Sequence, residues 1–235
     1  IDRRIYGANI MSGVARSIQL LIRGLARTKT QHSFYLISDD KIDGCPAFFH
    51  PLSIKIPGVG KKKSINHFVI WEQFLLPRVL QREKINIFHS MVWPIPCSFV
   101  KGCKFIVTLH DVTPYLGSNL NVFPTPFRRY FVKWIARSIK KADKIIAVSQ
   151  YTREEIVKLF GVPYHRIKVI YNSIDPYFRP LSDKKKIRSI VAKTLGIRDR
   201  FILNVNVLGP RKNIETLIRA FTLLKQKRNI PHKLI

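Results

Sequence analysis

The chain has 235 residues, enough for one large domain or for one domain and part of another. Its 46% hydrophobic and 11% aromatic content supports a packed core and excludes a disordered chain. A total of 42 Lys and Arg against 14 Asp and Glu leaves a net charge of +28, which attracts nucleic acid, an anionic membrane surface or phosphate-bearing substrates without choosing among them. Cys45, Cys97 and Cys103 are an odd count with no C-x-x-C pair, so neither a disulfide framework nor a zinc site is expected, and a reducing compartment fits. No run approaches the ~20 apolar residues of a membrane span and no charged-then-apolar leader opens the chain. The expectation is a cytoplasmic protein whose membrane contact is peripheral.

From Ser12-Gly13 onward, Val14, Ala15, Ile18, Leu21, Ile22, Leu25 and Ala26 follow a helical period. The first feature is therefore a glycine-containing loop running into a helix, whose amino end either binds a phosphate through free N–H groups or is simply capped. Phe34 to Ile37 reads as a strand, Ser38 to Gly44 as a polar turn, and Ile54 to Ile56 as a second short strand. Residues 57–64, PGVGKKKS, imitate a phosphate loop but lack its first glycine and place the serine wrongly, so they read as a basic loop. Phe68 to Leu80 carries helical spacing broken at Pro77, and Ile85 to Phe88 is a strand delivering His89.

Lys104 to Pro114, KFIVTLHDVTP, is the centre of the chain. Phe105 to Leu109 is apolar and rich in β-branched residues, long enough for a buried strand and too short for a helix. It ends in His110 and Asp111, and Thr113-Pro114 stops further ladder pairing. An imidazole and a carboxylate thus stand at the carboxyl end of a central strand, where open α/β sheets bind their ligands. Next, Pro126 to Lys141 is an amphipathic helix, with Phe127, Tyr130, Phe131, Trp134, Ile135 and Ile139 on one side and basic residues elsewhere. It reads either as a helix packed on the sheet or as a surface for anionic headgroups. Lys144 to Val148 is a strand, Thr152 to Glu155 a capping box, Gly161 a helix stop and Ile167 to Ile170 another strand. Strands alternate with helices from residue 85 to 175, which predicts parallel βαβ units.

Beyond the polar stretch from Pro180 come a short helix near Ile187 to Leu195, a strand over Phe201 to Val207, a turn at Gly209 to Asn213, a helix over Ile214 to Leu224 and a strand beginning at His232. The expected division is a first domain over 1–180, a linker and short helix over 181–196, and the beginning of a second domain over 197–235. One β-α unit cannot bury its own apolar face.

Six stretches in this order together resemble the retaining, nucleotide-sugar-dependent glycosyltransferases of group 1, family 4. They are Ser12-Gly-Val-Ala-Arg16, Ile87-Phe-His-Ser90, Val107 to Pro114, Lys141 to Ser149, Gly161-Val-Pro163 with Ile167 to Asp175, and Pro210-Arg-Lys-Asn213. The resemblance implies an α/β fold with two Rossmann-like domains, each a parallel sheet with helices on both faces, here truncated. It places Gly13, Arg211 and Lys212 against the donor diphosphate, His110 near the donor sugar, and Asp111 beside the acceptor or orienting the site. His89, Ser149 and Asn172 become candidates for lining the acceptor site. No metal or cofactor is called for, because fixed cations and helix N-termini can stabilise the diphosphate leaving group.

The implied reaction moves a hexose, with mannose from a GDP donor in view, onto a saccharide or lipid-linked acceptor in cell-surface polysaccharide synthesis. No specific nucleic acid is expected as a partner. In the family the opening strand ends about where Ile1-Asp2 stands, Asn206 takes the place of a glycine near the diphosphate, and a pair of glutamates holding the donor would fall beyond Ile235. The fragment alone is accordingly expected to be inactive. Two other readings stand beside this one: a non-catalytic basic protein binding nucleic acid or anionic membrane, and a sugar-nucleotide epimerase or phosphorylase of the same fold.

Overall fold

The computed structural model describes residues 1–2, 13–42, 45–56, 64–92, 94–115, 125–206, 209 and 212–235. Ser12, Gly44, residues 57–63 of the basic loop, Val207, Pro210 and Arg211, all named above, lie outside them, as does the side chain of Phe127. The chain divides into two units, one ending at Asp175 and the other running over Pro176–Ile235.

The first unit opens with helix α1 (Gly13–Ala26), which leads into strand β1 (Phe34–Ser38). Strand β2 (Phe49–Ser53) follows and pairs with β1 in parallel, Leu36 opposite Pro51. The expected strand at Ile54 to Ile56 is thus displaced to the preceding segment. Pro51 argues against a strand there only if its missing N–H is needed. The Ile54 N–H reaches the Ser38 carbonyl at 2.8 Å, and counting back by twos turns the nitrogen of Pro51 away from β1, where no donor is required.

Helix α2 (Ile65–Ile70) is capped by Ser64, whose side chain accepts from the His67 N–H. It continues through a π-helical turn (Trp71–Leu75) into α3 (Leu76–Arg82). The expected break at Pro77 is replaced by this wider turn: the Leu76 N–H bonds the carbonyl of Trp71, five residues back. Widening the helix just ahead of a proline relieves the clash of its ring with the carbonyl four residues before it.

Strand β3 (Ile87–Ser90), β4 (Lys104–Leu109), helix α4 (Thr125–Lys141), β5 (Lys144–Ala147), α5 (Gln150–Phe160) and β6 (Ile167–Val169) complete the unit. Strand β3 lies two residues later than its hydrophobicity suggests, so His89 belongs to the strand. The four strands form a sheet in the order β3-β4-β5-β6, with each adjacent pair parallel. Ile1 and Asp2 connect this sheet to β1: Asp2 bridges Ile37 in parallel, and the Asp2 N–H donates to the His89 carbonyl at 3.0 Å.

Strand alternation distributes the core between two faces. Leu36 packs with Ile18, Ile22, Phe49 and Met91 under α1, whereas its neighbour Ile37 joins the large cluster of Phe88, Val107, Ile145, Trp71, Leu80 and Ile139. Helices therefore cover both faces of a Rossmann-like parallel sheet. Tyr130, Phe131, Ile135 and Ile139 of α4 are buried, and the Arg137 guanidinium sits 5.0 Å from the Trp134 ring. The aromatic stripe of α4 is core.

The second unit contains α6 (Lys184–Leu195), β7 (Phe201–Ile202), α7 (Ile214–Arg228) and β8 (Lys233–Leu234), with β7 and β8 parallel. None of its described residues is buried. The strand expected to run from Phe201 pairs in register over Phe201 and Ile202, with a further bond from the Asn204 N–H to the Ile235 carbonyl at 2.7 Å, and Leu203 and Val205 are exposed.

Candidate active site

Parallel pairing brings the carboxyl ends of β3, β4, β5 and β6 to one edge of the sheet. That edge carries His110 and Asp111 after β4, Ser149 after β5, and the 170–175 loop after β6. Its polar groups belong to short segments whose backbone leaves the sheet, which is why the sequence can place them there at all.

His110 is half-buried. Its ring hydrogen-bonds the Met91 backbone, while its buried Nε2 meets no hydrogen-bond partner among the described residues. Burial lowers its pKa, against opposing contributions from Asp111 and the Met91 bond, so the ring is held as the neutral imidazole at pH 7. A neutral ring with one anchored side and one unused nitrogen is oriented to meet a ligand. Asp111, by contrast, is exposed, and its Oδ1 accepts from the Thr113 N–H at 2.9 Å. This bond shapes the turn into Pro114.

Ser149 is the N-cap of α5, a position the sequence reading gave to Thr152. Its Oγ accepts from the Thr152 N–H at 3.0 Å and lies 2.9 Å from the Thr152 hydroxyl. Ser149→Ala should cost about 1 kcal/mol, the usual value of a lost cap; urea unfolding measures it, and a loss under a few tenths would mean the cap is dispensable. His89 stands inside the sheet, with Nε2 2.7 Å from Thr108 Oγ1, and not at the carboxyl edge. Burial chiefly, and then the Ile1 ammonium, lower its pKa to about 4 against the pull of Asp2.

Gly13 begins α1 with open space where a side chain would point. Lys212 belongs to the second unit, is exposed, and gives its backbone N–H to the Gly209 carbonyl at 3.0 Å. Asn172 accepts a 2.8 Å hydrogen bond from Ser17 of α1. Beside it lies a contact to which the sequence reading assigned no role: Arg16 Nη2 is 2.6 Å and Arg23 Nη1 3.4 Å from Asp175 Oδ2. These bonds fasten the 170–175 loop to the helix that starts at Gly13. An aspartate in a chain so poor in acids was the available signal. Among the described residues no group of three His, Cys, Asp or Glu side chains is placed to hold a metal ion.

A parallel sheet between helices with an oriented imidazole at its carboxyl edge is a Rossmann-like α/β unit, and solved glycosyltransferases share this fold, which makes the architecture that of the GT-B class. The family model Glycosyltransferase Family 4 matches residues 11–178, and the chain belongs to that family. The chain is 32% identical over 238 residues to the uncharacterized glycosyltransferase MJ1607 of Methanocaldococcus jannaschii, covering 95% of this chain and 59% of that protein. It is 30% identical over 122 residues to the serotype-specific mannosyltransferase WbdA of Escherichia coli, covering 52% of this chain and 15% of WbdA. Among solved structures, WaaG, a glycosyltransferase involved in lipopolysaccharide biosynthesis, has the same fold with a TM-score of 0.64 at 14% identity, over 96% of this chain and 60% of that one. HepE of Anabaena, in complex with UDP and glucose, aligns with a TM-score of 0.61 at 16% identity over 97% of this chain and 57% of its own. The chain thus spans less than two thirds of the length of these relatives.

Proposed function

We propose that this chain carries the acceptor-side part of a retaining hexosyltransferase that moves mannose from a GDP donor onto a saccharide or lipid-linked acceptor in cell-surface polysaccharide synthesis. The observation that carries the reading is the buried Nε2 of His110 at the carboxyl edge of β4, which has no hydrogen-bond partner among the described residues. Relatives named as mannosyltransferases, WbdA and the O-antigen chain mannosyltransferase B of Escherichia coli, favour mannose.

On this reading Gly13, at the amino end of α1, is a diphosphate-binding residue of the first unit, and the family resemblance gives Arg211 and Lys212 of the second unit the role of fixed positive charge for the same group. Breaking the bond from the sugar to the diphosphate builds negative charge on the leaving oxygen, and such cations stabilise it without a further cofactor. His110 Nε2 contacts the donor sugar, and Asp111 addresses the acceptor hydroxyl. The net charge of +28 favours peripheral contact with the anionic membrane on which a lipid-linked acceptor is presented.

The test is transfer by the full-length gene product from a panel of GDP-, UDP- and ADP-sugars to lipid-linked acceptors. Turnover with GDP-mannose is the expected outcome. Turnover only with a UDP-sugar, as the UDP bound to HepE would suggest, overturns the donor assignment; no binding or turnover with any donor overturns the reading itself.

A further inference from the structure

Arg128 of α4 lies beside the turn that carries His110 and Asp111. Its Nε donates to the Pro114 carbonyl at 3.1 Å, and the Tyr115 hydroxyl ties the same turn to the same helix by donating to the Val132 carbonyl at 2.8 Å. Inside the turn the Tyr115 N–H bonds the Val112 carbonyl at 2.9 Å, with the Val112 side chain buried. These bonds fix one edge of the guanidinium against the turn without help from a ligand.

The rest of the guanidinium is unused. The Pro114 bond takes the N–H on Nε, and both Nη groups lack a partner among the described residues. The side chain is half-buried, so bulk water does not satisfy them in full. Other cations of the first unit are matched: Arg16 and Arg23 by Asp175, Arg166 by the carbonyls of Ile139, Lys140 and Ala142, and Lys141 by those of Pro96 and Ser98. Among the described residues Arg128 has no such match. Helix α4 contains no Asp or Glu, and Asp111, the one acid of the turn, accepts from the Thr113 N–H and forms no ion pair with Arg128.

We propose that the Nη edge of Arg128 binds a phosphate of the acceptor, so that the acceptor is a saccharide joined to a lipid through phosphate and not a free saccharide. The inference rests on the glycosyltransferase reading above and decides between its two acceptor classes. A sugar hydroxyl offers this edge one oxygen and no charge, leaving a donor and the positive charge unmatched. A phosphate fits both, because its oxygens accept the two parallel N–H bonds of a guanidinium fork. The turn supplies the acceptor side of the assignment, since Asp111, on the same turn as Pro114, is the residue proposed to address the acceptor hydroxyl. The bond to Pro114 also sets the fork in orientation beforehand, so less side-chain freedom is lost when the anion arrives.

The test compares the full-length gene product with its Arg128→Gln variant, which keeps a donor for the Pro114 carbonyl and removes the charge and the fork. Binding of geranyl diphosphate is measured by calorimetry with the donor site filled by saturating nucleoside diphosphate. The parent should bind it about tenfold to a hundredfold more tightly than the variant, the range of a charge-assisted bond. Both should bind the nucleoside diphosphate equally and partition equally onto phosphatidylglycerol vesicles. In transfer assays the parent should show a lower KM for a saccharide on geranyl diphosphate than for the same saccharide on a neutral octyl group, and the variant should not distinguish them. Equal affinities for geranyl diphosphate overturn the inference. So does a variant weakened instead for the nucleoside diphosphate or the vesicles, which would assign the guanidinium to the donor or to a membrane surface. A variant whose kcat falls on both acceptors with KM unchanged likewise overturns it, leaving Arg128 only the turn to hold. If no sugar is transferred from any donor, the glycosyltransferase reading fails, while the binding comparison still decides whether Arg128 takes a lipid phosphate. Should Arg128→Gln not fold, Arg128→Lys, which keeps the charge and loses the fork, provides the same comparisons and the same criteria with a smaller expected loss.

Discussion

His110→Ala in the full-length protein should lower turnover about a hundredfold or more, the usual range for a positioned acid, base or hydrogen-bonding group, while lowering urea stability by only about 1–2 kcal/mol, the cost of the lost bond to the Met91 backbone. The two halves of this expectation come from different observations. The ring is anchored on one side through the Met91 backbone, so its orientation does not depend on a ligand. Its Nε2 is buried without a partner among the described residues, so the folded protein gains little from that nitrogen. Removing an unsatisfied buried polar atom can even be neutral, whereas removing a made bond is not.

The neutral state matters to the result. With burial holding its pKa down, His110 offers a hydrogen bond at pH 7 and not a fixed positive charge. His110→Gln, which can still make a hydrogen bond, should therefore retain more activity than His110→Lys, which restores a charge in the wrong place. Steady-state transfer rates alongside urea midpoints distinguish the outcomes. Equal losses of turnover and stability in His110→Ala would make the residue a structural histidine.

Much of this edge was legible because the signals were local. Phe105 to Leu109 is a β-branched run closed by Thr113-Pro114, and such a run has few alternatives in a short segment. The amphipathic period of α1 and α4 likewise depends on neighbours within the same helix. What the sequence hid were facts about pairing. Pro51 suppresses a strand reading unless one knows which side of β2 faces β1. Pro77 looks like a helix end unless one knows that a π turn precedes it. His89 resembles a residue delivered at a strand end, yet parallel pairing with β4 sets it opposite Ile106, inside the sheet.

The clasp between Arg16, Arg23 and Asp175 was hidden for the same reason. Its partners lie 159 and 152 residues apart in sequence, and only the sheet's common edge brings them together. Two guanidinium groups on one buried carboxylate oxygen also explain how a chain with few acids uses one of them. It fixes the last residues of the first unit to the helix whose amino end is proposed to meet the donor.

His89 gives the largest expected dependence of stability on pH. Its pKa is about 4 in the folded chain against the 6.5 of an unperturbed histidine, lowered by burial first and by the Ile1 ammonium second, with Asp2 opposing. The sign follows from which state binds the proton. Between these two values the unfolded chain is protonated at His89 and the folded chain is not, so the unfolded state binds more protons and stability falls as the pH falls. Above pH ~6.5 neither state is protonated and nothing is lost.

At pH 4.5 the expected loss from this one group is about 2.5 kcal/mol, most of the interval having been crossed. Thr108 faces the ring at 2.7 Å and carries no charge to offset the incoming proton. His89→Gln keeps a neutral polar group next to Thr108 and removes the titration. Urea unfolding of both proteins at pH 7 and at pH 4.5 isolates the effect, since the carboxylates common to both chains cancel in the difference. The parent should lose about 2.5 kcal/mol more than the variant between the two pH values. Parallel losses would mean that the ring admits a proton in place, with water reaching it along the groove that it lines beside Ile87 and Ile106.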